Sequence, residues 1–326
     1  MGKIKTEGSY LRMSWYEEQK ETNLKERIIP QNKQPDFEAF WKEQVEALRK
    51  IPLEYTKVKL DLPYEKSFIT YEVSFSTHDK TVVKALYSVP AGQEGKKLPC
   101  VAYFHGGGGR KRIYPQVVAT GVCCFAMDVR SQGGTTVDQA EYETGDTMGG
   151  LMAKDVISKD RFYMKNIYLD AVRAMDVIAS MPEVDASRIV TFGQSQGGAL
   201  SVVASALSGR SKKCYVSEPS YSCIHRRVEL GTGVFEATHK FLRNYPEHTD
   251  AAFETLTYFD INNIASLLKV PTDFCLALAD PICPPEFVYS AYAHIDAPKQ
   301  IHFYPFAPHI TPEAYDLFVH DEFSKL

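Results

Sequence analysis

The chain has 326 residues, of which 44% are hydrophobic and 24% charged, and its formal net charge is -4. A chain of this size can bury a large core, and we predict a single domain over residues 1–326. Its mildly acidic balance and the lack of a long basic run exclude nucleic acid and anionic membranes as expected partners.

The cysteines and the N-terminal run bear on the cellular compartment. The seven cysteines show no Cys-x-x-Cys spacing and fall mostly in apolar runs, which is typical of reduced, buried thiols. The opening sequence MGKIKTEGSYLRMSW has no apolar core of signal-peptide type, so we expect a cytoplasmic protein. Its match to the short myristoylation pattern Met-Gly-x-x-x-Thr is interpreted as coincidence.

The N-terminal third predicts one helix followed by three strands. After Pro35, apolar side chains at 37, 40, 41, 45 and 48 share one helical face, with charged residues opposite. We interpret this segment as a docking helix within an N-terminal extension over residues 1–54. The β-rich runs 55–62, 68–75 and 82–89 are separated by turn residues and predict antiparallel strands.

Beyond residue 98, apolar strand-like runs alternate with helix-like segments, one of which covers 165–180. The runs are 101–104, 122–127, 189–192, 214–216, 274–279 and 301–304. This alternation predicts an α/β fold with a doubly wound, mostly parallel sheet. The stretch 218–268 is rich in aromatics and has helical patterning, so we predict a helical cap insertion over the pocket, with most of its aromatics forming its own core.

The strongest motif lies where a β-branched run meets Gly193-Gln194-Ser195-Gln196-Gly197 and then a block of small apolar residues. The pentapeptide alone is common in loops, but between a strand and a helix it is the nucleophile elbow of α/β-hydrolases. In so tight a turn a Cβ at Gly193 or Gly197 would collide. The elbow also places Ser195 at a helix N-terminus, where free N–H groups favour an oxyanion.

A nucleophilic serine needs a base, and the base needs an orienting acid that follows the serine in the chain. Asp280 comes directly after the strand-like run 274–279, at the carboxyl end where such folds place function. Asp273 opens the same run at its opposite end, and Asp260 lies in the predicted cap. We therefore choose Asp280 as the acid.

The base should lie on a loop after the next strand. His309 follows the run 301–304, whereas His302 lies inside that run and His320 on the last helix. Neither of those two has the loop freedom that proton transfer requires. The sequence therefore predicts a catalytic triad of Ser195, Asp280 and His309.

A glycine-rich loop, His105-Gly106-Gly107-Gly108-Gly109, follows the strand-like run 101–104. Phosphate binding through Gly-x-Gly-x-x-Gly is not indicated, because Lys111 occupies the last glycine position. In a hydrolase such a loop supplies an oxyanion N–H, so we predict an oxyanion hole built from the backbone N–H groups of Gly107 and Gln196. We expect no cofactor, and no ligand spacing indicates a metal.

With these residues in place, the chain resembles the acetyl xylan esterase and cephalosporin C deacetylase family of carbohydrate esterases. The motifs that carry the resemblance are Asp36-Phe37 with Phe40-Trp41, Arg130-Ser131-Gln132, and the runs 160–168, 193–197, 256–260 and 280–285. The resemblance implies a cytoplasmic serine esterase, a homohexamer, that deacetylates xylo-oligosaccharides, other small sugars and cephalosporins. It also places Arg130 and Gln132, together with Gly193 and Gly197, in structural motifs beside the site.

Three positions depart from the family pattern. Ser131 stands in the middle of the family's Arg-Gly-Gln, Ile310 replaces the glutamate after the histidine, and Gly107 replaces a usual tyrosine. Loss of the aromatic ring at 107 should open the acyl side of the pocket. We therefore expect acyl groups larger than acetyl to be accepted.

Two other functions stay open from the sequence. A broader carboxylesterase, a peptidase or an acyltransferase can use the same scaffold, because the fold does not fix the acyl or leaving group. Peptide substrates usually need a charged anchor in the pocket, which the sequence does not indicate. An inert hydrolase-like binding module is the alternative outside the enzymes, and the intact order of Ser195, Asp280 and His309 argues against it.

Overall fold

The computed structural model describes residues 20–62, 66–93, 95–145 and 149–326. Residues 1–19, on which the expectations about a signal peptide and a myristoyl group rest, lie outside these ranges. Among the described residues, no helix has the length and apolar character needed to cross a membrane.

A nine-stranded sheet forms the centre of the molecule. Its strands are β1 (Tyr55–Lys59), β2 (Phe68–Ser76), β3 (Val82–Pro90), β4 (Leu98–Phe104), β5 (Cys123–Met127), β6 (Val184–Gln194), β7 (Lys213–Ser217), β8 (Thr272–Ala277) and β9 (Lys299–Tyr304). Their order across the sheet is β1-β2-β3-β5-β4-β6-β7-β8-β9. The pairs β1/β2, β2/β3 and β3/β5 are antiparallel, and all other neighbours are parallel. The predicted sheet is confirmed.

Helices cover both faces of the sheet. They are α1 (Glu21–Lys25), α2 (Phe37–Lys50), α3 (Pro115–Val118), α4 (Tyr163–Ser180), α5 (Gln196–Ser208), α6 (Ile224–Leu230), α7 (Glu236–Asn244), α8 (Thr249–Thr257), α9 (Ile261–Ile264), α10 (Pro285–Ala293) and α11 (Glu313–Ser324). Buried side chains of α2, α4 and α5 belong to one apolar cluster, and those of α3 and α11 to a second. Burial of both sheet faces explains why the central parallel strands β4 and β5 and the second half of β6 are almost continuously apolar rather than alternating.

Helix α2 is the predicted docking helix, and it buries the apolar face that its spacing indicates. Trp41 donates a 2.8 Å hydrogen bond from Nε1 to the carbonyl of Tyr258. The Phe40 ring meets the Tyr258 ring edge-on at 4.9 Å between centroids. The N-terminal extension is therefore fixed to the far end of the 218–268 insertion.

The 218–268 insertion is helical and consists largely of α6 to α9. Its aromatics Tyr221, Phe235, Phe241 and Phe259 are buried as expected, but they belong to the main apolar cluster, which also contains side chains of α2 and α4, and not to a separate core of the cap. The division of the chain into one domain with a cap stays a prediction.

A buried arginine holds the loop that follows β5. Arg130 is 0% exposed and forms a bidentate pair with Asp170 of α4, at 2.7 Å for each bond. It also donates to Asp138 at 2.8 Å, to Thr77 at 3.1 Å and to Asp79. Burial opposes the charge, but Asp170 and Asp79 outweigh it and raise the pKa of Arg130 above its ordinary value. Arg130 thus joins the β2–β3 turn, the β5 loop and α4.

Replacing this arginine should cost more stability than replacing an exposed one. Arg130→Met leaves Asp79, Asp138 and Asp170 without their cation, so we expect the free energy of unfolding in urea to fall by about 3–5 kcal/mol. Arg226→Met is the matched control, because Arg226 and Glu229 form an exposed pair at 2.7 Å whose loss should cost less than about 1 kcal/mol. Equal losses for the two variants would contradict the role given to Arg130.

Candidate active site

The elbow is built by close backbone packing. Ser195 lies between β6 and α5 with φ 58° and ψ -122°, a conformation that L-residues rarely adopt. A Cβ at Gly193 would lie 2.6 Å from the carbonyl oxygen of Phe104, and one at Gly197 would lie 2.0 Å from the same atom. Neither distance is possible, so the predicted need for glycine at both positions is confirmed.

The end of β7 and the loop that follows it fix the backbone of the serine on both sides. The N–H of Ser195 donates to the carbonyl of Ser217, and the N–H of Ser220 donates to the carbonyl of Ser195, each at 2.9 Å. Because these bonds occupy its backbone groups, the serine's own N–H is directed away from the oxyanion position. The first free N–H groups of α5 remain for that purpose.

The predicted acid and base are in direct contact. Oδ2 of Asp280 lies 2.6 Å from Nδ1 of His309. Oδ1 of Asp280 accepts the backbone N–H groups of Ile282 at 2.7 Å and Cys283 at 2.9 Å, which orients the buried carboxylate. The side chain of Gln194 donates to the carbonyl of His309 at 3.2 Å and links the histidine loop to the elbow.

The Asp280 contact determines the protonation of the histidine. Burial disfavours a charged imidazole, but the hydrogen bond with Asp280 and the nearby Cys283 thiol outweigh burial and raise the pKa of His309. A carboxylate on Nδ1 requires a proton there, which leaves Nε2 as the acceptor in the neutral ring. The structure therefore brings Asp280 and His309 together in the geometry of a base and its orienting acid, and their catalytic roles stay a prediction.

Ser195 and His309 line the same cavity, which has a volume of about 750 Å³. Its apolar walls come from Leu151, Met152, Val234 and Ile282. Its rim also carries Lys240 and Glu236 of α7, which form an ion pair at 2.6 Å. A cavity of this size suits a small-molecule substrate.

The predicted oxyanion loop is fixed by a network of side-chain amides. Gly107 lines the cavity, and the N–H of Gly108 donates to Oε1 of Gln132 at 2.9 Å. The side-chain amides of Gln132 and Gln196 bond each other at 2.7 and 3.0 Å. Tyr221 also donates to Gln196, at 2.6 Å. Gln132 therefore holds the glycine loop in register with the residue that follows the nucleophile.

His105 has a structural position at the start of the glycine loop. Its Nδ1 lies 2.8 Å from the carbonyl of Gly106, and its Nε2 accepts the N–H of Val129 at 3.0 Å. Burial lowers the pKa of His105. The ring is therefore neutral, with its proton on Nδ1, and ties the loop after β4 to the loop after β5.

The three departures from the family pattern differ in their surroundings. Ser131 has φ 53°, in the left-handed region where glycine is unstrained. Ile310 is 52% exposed. A Cβ added to Gly107 would meet no heavy atom within 4 Å, so the space beside this residue is open.

The sequence did not single out two side chains near the triad, Cys283 and Glu218. Cys283 donates its N–H to Asp280, and the potential ligand atoms of Cys283, Asp280 and His309 lie within 4.8 Å of one another. Glu218 immediately follows β7, so the strand-end criterion that selected Asp280 could have found it.

Asp280, Cys283 and His309 also place potential metal-ligand atoms within 4.8 Å of one another. The Asp280–His309 separation is only 2.6 Å. Two ligand atoms of a tetrahedral zinc ion, at bond lengths of about 2 Å, lie about 3.3 Å apart. The contact therefore suits a shared proton better than a metal ion.

Comparisons with known proteins agree with this geometry. Residues 21–325 match the family model for acetyl xylan esterase (AXE1). An acetyl xylan esterase from Paenibacillus sp. R4 is 30% identical, with a TM-score of 0.89 over 94% of this chain and 99% of that one. Acetyl xylan esterase 1 from Thermoanaerobacterium sp. JW/SL YS485 is 26% identical, with a TM-score of 0.87 over 94% and 98%.

A curated relative overlaps this chain over only part of its own length. Acetyl esterase Axe7A of Xylanibacter ruminicola is 27% identical over 295 residues, which are 88% of this chain but 66% of that protein. The present chain thus spans just under two thirds of that relative. The match to the family model, by contrast, covers nearly the whole chain. The chain belongs to the acetyl xylan esterase family, a family of carboxylic ester hydrolases with the α/β-hydrolase fold.

Proposed function

We propose that this chain is a serine esterase that removes acetyl groups from small acetylated carbohydrates, foremost acetylated xylo-oligosaccharides, and from cephalosporin C-type acetates. The observation that carries the proposal is the 2.6 Å contact between Asp280 and His309, in a cavity that also contains the elbow serine. Membership of the acetyl xylan esterase family supports the acyl group and the sugar leaving group.

The first half of the reaction forms an acyl-enzyme. The Ser195 hydroxyl attacks the acetyl carbonyl while Nε2 of His309 takes its proton, and Asp280 stabilises the resulting imidazolium. The N–H groups of Gln196 and Gly107 bind the oxyanion of the tetrahedral intermediate. The bond from the acyl carbon to the sugar oxygen then breaks, and His309 returns the proton to the departing alkoxide.

The second half reverses these roles with water as the nucleophile. His309 removes a proton from water, the hydroxide attacks the acetyl carbon, and the bond to Ser195 Oγ breaks. The proton then passes to the serine, and the product leaves as acetic acid, which ionises to acetate in water. No step changes an oxidation state. The protons and electron pairs of every step come from the substrate, from water and from the side chains of Ser195 and His309.

Resemblance to the family also supports a cytoplasmic, homohexameric enzyme. A broader carboxylesterase or an acyltransferase is the second candidate, and the open space beside Gly107 favours it. Light scattering of the purified protein tests the hexamer, and a series of acyl-chain lengths separates an acetyl-specific esterase from a broader carboxylesterase.

The role of the serine predicts a large loss of turnover without loss of the fold. We expect Ser195→Ala to lower kcat by several orders of magnitude, because the remaining groups cannot form the acyl-enzyme. Acetate release from acetylated xylo-oligosaccharides, cephalosporin C and a simple acetyl ester measures this and ranks the substrates. Ser324→Ala, at the exposed end of α11, is the control with unchanged activity. Near-normal turnover by Ser195→Ala would remove the proposed mechanism.

Gly107 predicts a tolerance for longer acyl chains. We expect the wild type to hydrolyse propionyl and butyryl nitrophenyl esters at rates comparable to the acetyl ester. Gly107→Tyr should slow only the longer esters, because open space beside the residue accepts the ring and the ring then narrows the acyl side. Gly107→Ala is the small control. A steep acetyl-only preference in the wild type would refute this prediction.

A further inference from the structure

A buried carboxyl group behind the predicted triad is not used by the mechanism above. Glu218 follows β7, which lies in the sheet between the strand that leads to Ser195 and the strand that leads to Asp280. It is 1% exposed, and its φ of 36° is unusual for a residue other than glycine. No lysine or arginine among the described residues forms an ion pair with it. Burying a carboxyl group without a cationic partner costs free energy, so the position of Glu218 needs a physical reason.

Hydrogen bonds connect this carboxyl group to the loop that carries His309. Its Oε2 accepts the hydroxyl of Ser217 at 2.6 Å, and its Oε1 accepts the thiol of Cys275 at 2.9 Å. The hydroxyls of Ser217 and Thr311 are 2.9 Å apart. Since Ser217 has one proton and gives it to the carboxylate, Thr311 must be the donor in that contact. Thr311 lies just beyond His309 in the chain, so the bridge runs from Glu218 to the base loop.

The same segment holds the nucleophile. The carbonyl of Ser217 and the N–H of Ser220 bond the two backbone groups of Ser195, each at 2.9 Å. Glu218 stands between these two residues in the chain. The side chain of Glu218 is therefore linked to the histidine loop through the hydroxyl of Ser217, and its backbone neighbours hold the serine.

The charge of Glu218 also interacts electrostatically with Asp280 and His309. Burial raises its pKa to about 7, with Asp280 acting in the same direction, while Cys275, Ser217 and His309 oppose the rise. Tyr304 of β9 also faces it, and burial, Cys275 and Glu218 raise the pKa of that phenol to about 12. Asp280, His309, Cys275 and Tyr304 are thus the titratable groups around Glu218, and His309 is the one that becomes a cation during turnover.

We propose that Glu218 is a positioning residue for ester hydrolysis: its buried carboxylate orders the Ser217–Thr311 bridge, and its negative charge stabilises the imidazolium that His309 forms. This inference rests on the proposed serine mechanism and extends it by a second carboxylate. Asp280 holds Nδ1 directly, whereas Glu218 acts through the bridge and through its field. The arrangement gives two sources of stabilisation to the same transient cation.

Glu218→Gln tests the charge while keeping the size of the side chain and an oxygen acceptor. We expect kcat for a soluble acetyl ester to fall about tenfold with KM nearly unchanged, because the lost interaction forms only in the transition state. Removing a negative charge near His309 lowers the pKa of the imidazole. The acidic limb of the pH profile, where kcat/KM falls as the pH decreases, should therefore move to lower pH.

Two further variants separate the electrostatic effect of the Glu218 charge from a general loss of structure. Asp273→Asn removes a buried carboxylate from the opposite end of β8, where Asp273 pairs with Lys213 at 2.9 Å, and should leave the acidic limb in place. Thr311→Val breaks the bridge without changing any charge, so it should lower kcat but not shift the limb. Thermal unfolding at the same pH values shows which variants are folded.

A folded Glu218→Gln with unchanged kcat and an unshifted limb would overturn the proposal. If that variant does not fold, Thr311→Val decides, and an unchanged kcat there would also overturn it. Failure of the wild type to hydrolyse any acetyl ester would instead count against the proposed function. Activity that Ser195→Ala abolishes but Glu218→Gln leaves intact would count against Glu218 alone.

Discussion

The packing of two glycines on one carbonyl oxygen determines most of what this molecule can do. Gly193 and Gly197 approach the oxygen of Phe104 so closely that no side chain fits at either position. That approach forces the sharp turn between β6 and α5 and leaves Ser195 with a positive φ of 58°. Strain of this kind persists only where the surroundings over-determine it. Here the end of β7 and the loop that follows it do so, through hydrogen bonds to the N–H and to the carbonyl of the serine.

The parallel half of the sheet brings the remaining groups to the same place. Strands β4 to β9 run in one direction, so their carboxyl ends present the glycine loop, the elbow, Glu218, Asp280 and His309 along a single edge. Side chains then tie these loops to one another. Gln132 joins the glycine loop to Gln196, and Arg130 fixes the loop on which Gln132 lies. The site is therefore held by rigid elements and not by one flexible segment.

The fold was predictable because its signals are local. Strand-like runs, the small residues after Ser195 and the apolar face of α2 can each be read from a few neighbouring residues, and all three are confirmed. In the same way, the positions of Asp280 and His309 after two successive strands predicted that the two side chains lie close together. What the sequence could not show is side-chain pairing that belongs to no recognised motif. The three carboxylates around Arg130 come from the β2–β3 turn, the loop after β5 and helix α4, and Tyr221, an aromatic of the predicted cap, also bonds Gln196.

The central claim is that acyl transfer passes through an ester on Ser195, formed with the help of His309, which lines the same cavity, and of Asp280, which contacts His309. Rapid acid quenching of the wild-type protein during turnover of a nitrophenyl acetate, followed by proteolysis and mass spectrometry, tests this directly. The account predicts one added acetyl group on the peptide that contains Ser195, formed before steady-state acetate release. Acetate release with that peptide unmodified, or with the acetyl group on another residue, would contradict it.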